Sequence, residues 1–228
     1  MCGIFGYIGP KNAPEVILEG LKRLEYRGYD SWGIAVLSEQ IKVNKNVGAI
    51  GDLNRSNLPS SKIGIGHTRW ATHGGITETN AHPHLSSDNS FALAQNGIVE
   101  NYQSLKDDLL KKGYKFKSQT DTEVIVRLIE EKLSKARAGA LKSKKALPAS
   151  RQDLKEAVRS AFLDLEGRNT IILLTKDNQL IALRNGSPLV VGVNEEEIFF
   201  SSDTLSFAPF VKKIVVVDNG QMAYFEGG

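Results

Sequence analysis

The sequence predicts an α+β fold of two stacked, largely antiparallel sheets with helices on the outside. Three observations predict it. Eleven short apolar segments have strand length, are rich in β-branched or aromatic residues, and end at Gly, Asn, Asp or Pro. Four longer stretches carry apolar residues at helical spacing. The two kinds do not alternate regularly along the chain, as a doubly wound parallel sheet would require.

The first strand is "GIFGYIG", directly behind Met1 and Cys2. "APEVILEGLKRLEYRG" follows as a helix, with Val16, Ile17, Leu21 and Leu24 on one face and Pro14 suited to its first turn. "SWGIAVL", "IKVNK", "KIGIGH" and "FALAQNG" supply the remaining strands of the first hundred residues. "NYQSLKDDLLKKG" is a helix that Gly113 stops in a left-handed conformation. "TDTEVIVRLIEEKL" opens with a capping-box pattern, Thr120 with Glu123 three residues on. Its Val124, Ile125, Leu128, Ile129 and Leu133 then recur at helical spacing. "RQDLKEAVRSAFLDL" repeats the pattern through Leu154, Val158, Ala161 and Phe162, and the stretch near 134–151 reads as a lengthened helix–helix connection. "TIILLT", "QLIALRN", "LVVGV", "EIFFSSD", "KIVVVD" and "QMAYF" complete the strands. "KDNQ" at 176–179 and "DNGQ" at 218–221 form turns among them.

With 228 residues the chain has enough length for a sizeable core, and its net charge of +3 is small. Seven cations and no acid fall between Lys132 and Arg151. No aromatic residue interleaves them to stack on bases, so the stretch reads as solvated surface rather than a nucleic-acid footprint. A single cysteine excludes a disulfide framework within the chain and a four-cysteine metal site. No apolar run approaches the roughly 20 residues that span a bilayer, and no signal-peptide pattern opens the sequence. The expectation is a cytoplasmic protein without a membrane or nucleic-acid partner.

Chemistry concentrates in a few places. Removing Met1 would leave Cys2 with a thiol and a free α-amine on one residue. The amine, with a pKa of roughly 7.7–8 against roughly 8.5 for the thiol, suits the role of adjacent base. The bland alternative is a buried cysteine acting as a small hydrophobe. "GIGHTRWATHGGITETNAHPH" holds all four histidines, His67, His73, His82 and His84, so metal binding has to be weighed, but no pair has the i, i+4 spacing of a helical zinc motif. In the same loop Arg69 offers a planar fork for a carboxylate, and Trp70 with the glycines suits a closing lid. "AQNGIVENY" places Asn96 and Gly97 directly after an apolar strand, either as a turn or as two donors of an oxyanion hole. Asp121 caps a helix or meets a ligand ammonium. Arg27, with Asp30 and Ser31, stabilises a turn or holds the thiolate or chain terminus.

Taken in order, these motifs resemble a known family. "MCGIFGYIG", "LKRLEYRGYDSWGIAV", "GHTRWATHGG", "NAHPH", "NGIVENY", "GYKFKSQTDTEVI", "NGSPLVVG" and "SSD" at 201–203 are similar to the glutaminase domains of glutamine–fructose-6-phosphate amidotransferases, which are class II glutamine amidotransferases. The resemblance runs from Cys2 to about Tyr224. It implies an N-terminal-nucleophile hydrolase, a four-layer αββα sandwich of two mostly antiparallel sheets, forming one domain over residues 1–228. The implied substrate is L-glutamine, and neither cofactor nor metal is implied. Cys2 is then the nucleophile with its own amine as base, and Asn96 and Gly97 form the oxyanion hole. Arg69 holds the substrate carboxylate and Asp121 its ammonium, while Trp70, Thr72 and His73 belong to the loop over the substrate. Arg27 supports the nucleophile.

The family pattern is broken at Gln95, where histidine is usual, at Trp32, where a small residue is usual, and by the basic stretch, which looks inserted. The sugar-phosphate isomerase domains that accept ammonia in the family are absent from these 228 residues. The acceptor is therefore expected on another domain or a partner chain, whether this is an excised domain or a stand-alone protein. The competing readings are an amidotransferase with another acceptor, a non-catalytic glutamine-binding module, and a histidine-based metallohydrolase.

Overall fold

In the computed structural model, which describes residues 2–51, 57–142 and 151–226, the alternation of side chains along each strand sorts the molecule into layers. The first sheet is built from β1 (Gly3–Ile8), β2 (Ser31–Leu37), β3 (Ile41–Val47) and β4 (Ile63–Arg69). The second holds the two-residue β5 (His84–Leu85), β6 (Phe91–Gly97), β7 (Asn169–Thr175) and β8 (Gln179–Asn185). β9 (Val190–Val193), β10 (Ile198–Ser201) and β11 (Lys213–Val216) extend the first sheet, and β12 (Met222–Glu226) closes the second. Strand order is β11-β9-β10-β1-β4-β2-β3 in one and β12-β8-β7-β6-β5 in the other, with antiparallel pairs throughout.

Along β6 and β7, Ala92, Ala94, Ile172 and Leu174 face the other sheet and meet Ile4, Ala35, Ile63 and Ile65 across the gap. Their neighbours Phe91, Leu93, Ile171 and Leu173 point outward. They are covered by α2 (Tyr102–Lys111), α3 (Asp121–Lys142) and α4 (Arg151–Leu163). On the outer face of the first sheet, α1 (Ala13–Leu24) lays Ile17, Leu18, Leu21 and Leu24 over Phe5, Tyr7, Ile34 and Val36. Each such buried side chain stabilises the fold by roughly 1.5–3 kcal/mol. The outcome is the expected αββα arrangement. α1 lies close over β4, where a Cβ on Gly66 would stand only 2.5 Å from Ile17 Cγ2.

The expected ends hold in detail. Gly113 has φ +88°, with the Tyr114 amide donating to Leu109 O and the Gly113 amide to Leu110 O, a Schellman stop for α2. Pro14 sits in the first turn of α1. Three expectations are corrected. β5 adds a twelfth strand, which two residues behind Pro83 are too few to announce by alternation. α3 continues to Lys142 rather than ending near Leu133, because the stretch after Leu133 has no breaker other than Gly139. The capping box is half formed: the Glu123 amide donates to Thr120 Oγ1, but the Glu123 carboxylate accepts from the amides of Lys117 and Ser118 instead. Of the basic stretch, residues 143–150 lie outside the described residues. Lys132 and Lys135 are paired with Asp164 and Glu131.

Candidate active site

β1 is held at its start by the "SSD" segment. The Ile4 amide donates to Ser202 Oγ and Ile4 O accepts from the Ser202 amide. Gly3 pairs with Thr68, which sets Cys2 level with the end of β4. The Cys2 sulfur accepts from the Trp70 amide at 3.3 Å and donates to Trp70 O at 3.6 Å. Burial pushes the thiol pKa up, and the Trp70 amide and the Arg69 charge only partly offset it. A neutral thiol in this position needs a base before it can attack. The Cys2 carbonyl accepts from Arg27 Nε at 3.1 Å, and Arg27 Nη1 lies 3.7 Å from Asp203 Oδ2, whose other tie is the Tyr26 hydroxyl.

Asn96 and Gly97 approach from the opposite sheet. Gly97 has φ +125°, and a Cβ there would sit 1.8 Å from the backbone oxygen of Arg168, so no other residue fits without moving the strand end. Asn96 is buried, and its Nδ2 has no hydrogen-bond partner. A buried amide donor left without a partner is costly, and such groups call for an explanation at a site. Its Oδ1 lies 3.1 Å from His67 Nε2.

A cleft of about 250 Å³ brings Cys2, Trp70, Thr72 and Gly97 together with Arg69 and Asp121. The same four residues also border a wider cleft of about 670 Å³ that Arg27 and Asn96 line. Arg69 is buried, and burial lowers its pKa from the ordinary value, although a guanidinium stays charged. Its Nη1 donates to Gly75 O at 3.1 Å, and its Nη2 to Gly74 O at 3.3 Å and to His73 O. Asp121, first residue of α3, accepts from the Val99 amide at 2.9 Å. One fixed cation and one fixed anion thus border the thiol.

The structure therefore gathers Cys2, Asn96, Gly97, Arg69, Trp70, Thr72, Asp121 and Arg27 around one place. His73 stands apart from it: its ring packs edge-on against Tyr102 at 4.8 Å, and only its carbonyl is drawn in, by Arg69. Trp70 is about half exposed and meets Tyr29 edge-on at 6.0 Å. Among the described residues no three His, Cys, Asp or Glu side chains gather as a metal-binding group. His67, His82 and His84 lie ring beside ring instead, at 4.3 and 5.0 Å. Burial lowers the pKa of each, to about 3 for His67.

Sequence reasoning missed several groups. In the sequence Asp203 and Ser202 stand out only within "SSD", and Asp30, whose Oδ2 accepts from the Ala71 amide, only as a turn residue. Gln95, the departure from the family pattern, joins three elements: its Nε2 donates to Asn169 Oδ1 at 2.7 Å, and its Oε1 accepts from Thr122 Oγ1. Among the described residues no helix is long and apolar enough to cross a membrane.

Residues 51–138 match the family described as a glutamine amidotransferase domain. The chain is 43% identical over 235 residues to the glutamine–fructose-6-phosphate aminotransferase [isomerizing] of Bacteroides thetaiotaomicron, covering 100% of this chain and 36% of that protein. It is 44% identical over 228 residues to the protein of the same name from Pyrococcus horikoshii, covering 97% and 36%. The chain thus spans 36% of the length of these curated relatives. Among solved structures it is similar to the allosteric regulatory enzyme of purine biosynthesis, with a TM-score of 0.81, 27% identity and coverage of 99% of this chain and 47% of that one. It is also similar to the glutamine phosphoribosylpyrophosphate amidotransferase of B. subtilis, with a TM-score of 0.74, 25% identity and coverage of 99% and 49%.

Proposed function

Because the chain belongs to the glutamine amidotransferases, we propose that it hydrolyses the side-chain amide of L-glutamine to glutamate and ammonia through a γ-glutamyl thioester on Cys2. The observation that carries this reading is one cleft lined by both the Cys2 thiol and Asn96, whose Nδ2 is buried without a partner, beside a fixed cation and a fixed anion.

With Met1 removed, the freed α-amine takes the thiol proton as sulfur adds to the amide carbon. The carbonyl oxygen becomes an anion facing Asn96 Nδ2 and the Gly97 N–H. Losing one such donor typically costs about 3–4 kcal/mol in the barrier. The same amine returns its proton to the departing nitrogen, ammonia leaves, and water hydrolyses the thioester to glutamate and free thiol. Arg69 meets the α-carboxylate and Asp121 the α-ammonium, a pair of charges that only free glutamine presents. Trp70, Thr72 and the loop carrying His73 cover the substrate. Arg27 fixes the Cys2 carbonyl and with it the direction of the nucleophile.

The ammonia is destined for fructose 6-phosphate, giving glucosamine 6-phosphate. Relatives at 42–44% identity bearing that activity in their names support this acceptor over the purine one, whose enzymes stand at 25–27%. A sugar-phosphate isomerase, on the rest of a longer chain or on a partner, accepts it in the cytoplasm. The test is glutamate release from L-glutamine by Met1-trimmed protein, verified by intact mass, beside Cys2→Ala. Turnover in the first and none in the second is expected. Turnover that survives Cys2→Ala would sink the mechanism.

A further inference from the structure

The proposed reaction needs the Asn96 amide turned one way only. Its NH₂ has to face the place where negative charge develops, since Oδ1 presented there would repel the oxyanion. The two ends of a carboxamide are nearly alike in size, so packing alone does not choose between them. A hydrogen-bond partner has to.

We propose that His67 makes that choice: it is a positioning residue that locks the Asn96 side chain with its NH₂ toward the oxyanion. The inference rests on the amidotransferase reading above. His67 Nε2 lies 2.9 Å from the backbone oxygen of Gln95 and 3.1 Å from Asn96 Oδ1. A backbone carbonyl can only accept, so Nε2 carries the hydrogen. A nitrogen that donates demands an acceptor on its other neighbour as well, which places the oxygen of the Asn96 amide at His67. Nδ2 is thereby directed away from His67, and it is the atom found buried without a partner. Nδ1 of the neutral ring is also buried without a partner, so no second hydrogen bond competes to turn the ring.

The lock is itself braced. The His82 ring packs against that of His67 at 4.3 Å, tilted by 36°, and limits its rotation. The carbonyl that sets the tautomer belongs to Gln95, whose side chain is tied to Asn169 and to Thr122. A path of hydrogen bonds therefore runs from α3 and β7 through Gln95 and His67 to the donor at the reacting oxygen.

The experiment compares Met1-trimmed wild type with His67→Leu, His67→Gln, Asn96→Ala and the His67→Leu/Asn96→Ala double variant. It reads kcat and KM for glutamine and the rate of Cys2 alkylation by iodoacetamide. His67→Leu is expected to lower kcat on the order of 10²-fold, as loss of an oxyanion donor does. KM and alkylation stay near wild type, because neither ground-state binding nor the thiol is touched. His67→Gln, whose terminal NH₂ can reach the same two acceptors, recovers most of kcat. The double variant is no slower than Asn96→Ala alone, because the lock has nothing left to hold. A His67→Leu protein with wild-type kcat, or defects that multiply in the double variant, would overturn the inference. If His67→Leu does not fold, His67→Gln decides: a folded, normally alkylated His67→Gln protein without turnover overturns it. No glutamate release by wild type overturns both readings together, whereas an effect of Asn96→Ala without one of His67→Leu removes only this one.

Discussion

Gly97→Ala is the sharpest single test of how the fold builds the site. A methyl at this position would stand 1.8 Å from the Arg168 backbone oxygen, more than an ångström inside the closest approach that real Cβ atoms make. The obstacle is backbone held in the β6–β7 ladder, where Gly97 pairs with Asn169, so it cannot rotate aside like a side chain. The φ of +125° adds strain of about 1–3 kcal/mol for a non-glycine residue. At roughly 2–4 °C per kcal/mol for a chain of this length, that strain lowers Tm by several degrees. The end of β6 has to move by about an ångström, and a misplacement of that size at a reacting centre costs on the order of 10²-fold in rate. Steady-state glutamate release and thermal melts followed by circular dichroism measure the two effects. Leu110→Ala, at an exposed position on α2 away from the cleft, is the control and is expected to change neither strongly. A Gly97→Ala protein with wild-type turnover and Tm would refute the argument that the tight backbone approach positions the donor.

Asp121→Asn keeps an oxygen that can accept from the Val99 amide, so the start of α3 survives while the charge is lost. KM for glutamine is expected to rise about tenfold or more with a smaller change in kcat, as loss of uniform binding does; an unchanged KM would remove Asp121 from ammonium recognition. Glu123→Gln removes one of two carboxylates around the buried Arg127, which keeps Glu130 at 2.8 Å, and is expected to destabilise by about 1–3 kcal/mol. Burial alone would raise the Glu123 pKa, but the Lys117 and Ser118 amides and Arg127 hold it below the ordinary value. The resulting stability is fully present above the unfolded value near 4.3 and is lost as pH falls through the lower folded value. Urea midpoints at several pH values therefore show a deficit that is constant above about pH 5 and narrows below about pH 4; a deficit that is unchanged at low pH would refute the assignment.

Where one period ran long enough, the sequence was legible. Phe91-Ala-Leu-Ala reads as a strand because four residues alternate large and small, and the large ones meet the helices while the alanines meet the other sheet. Gly113 reads as a stop because only its left-handed turn satisfies the last carbonyls of α2. Asn96-Gly97 alone reads as a turn. It becomes a candidate site only when Cys2 is brought beside it, and that meeting across two sheets is not a local property. The Glu123 carboxylate left the capping box for the same reason: its partners come from the turn at Lys117 and Ser118, and nothing in a three-residue spacing shows that turn. Proximity in sequence groups His67 with the loop histidines. The signal that separates it was present, since Ile63, Ile65, His67 and Arg69 form one alternating face of β4.

That alternation ties stability to the proposed chemistry. Ile63 and Ile65 on β4, Ile4 on β1, and Ala92 and Ala94 on β6 fill the layer between the sheets. On the same face of β4, His67 stands two residues and Arg69 four residues beyond Ile65; Asn96 stands two beyond Ala94 on β6, and Cys2 two back from Ile4. The candidate site is the polar end of the hydrophobic layer. The gap between Cys2 and Asn96, the proposed nucleophile and oxyanion donor, is therefore set by how closely the sheets approach, and the small side chains of Ala35, Ala92, Ala94 and Ala182 let them approach closely. A layer packed at crystal-like density resists change in that gap, so the donor is in place before charge develops. A cysteine in the middle of a strand could present the same thiol, but its backbone nitrogen would be bound in the peptide and the ladder. Just before β1, the Cys2 nitrogen becomes a free amine if Met1 is removed, and the layer ends where the proposed mechanism calls for that base.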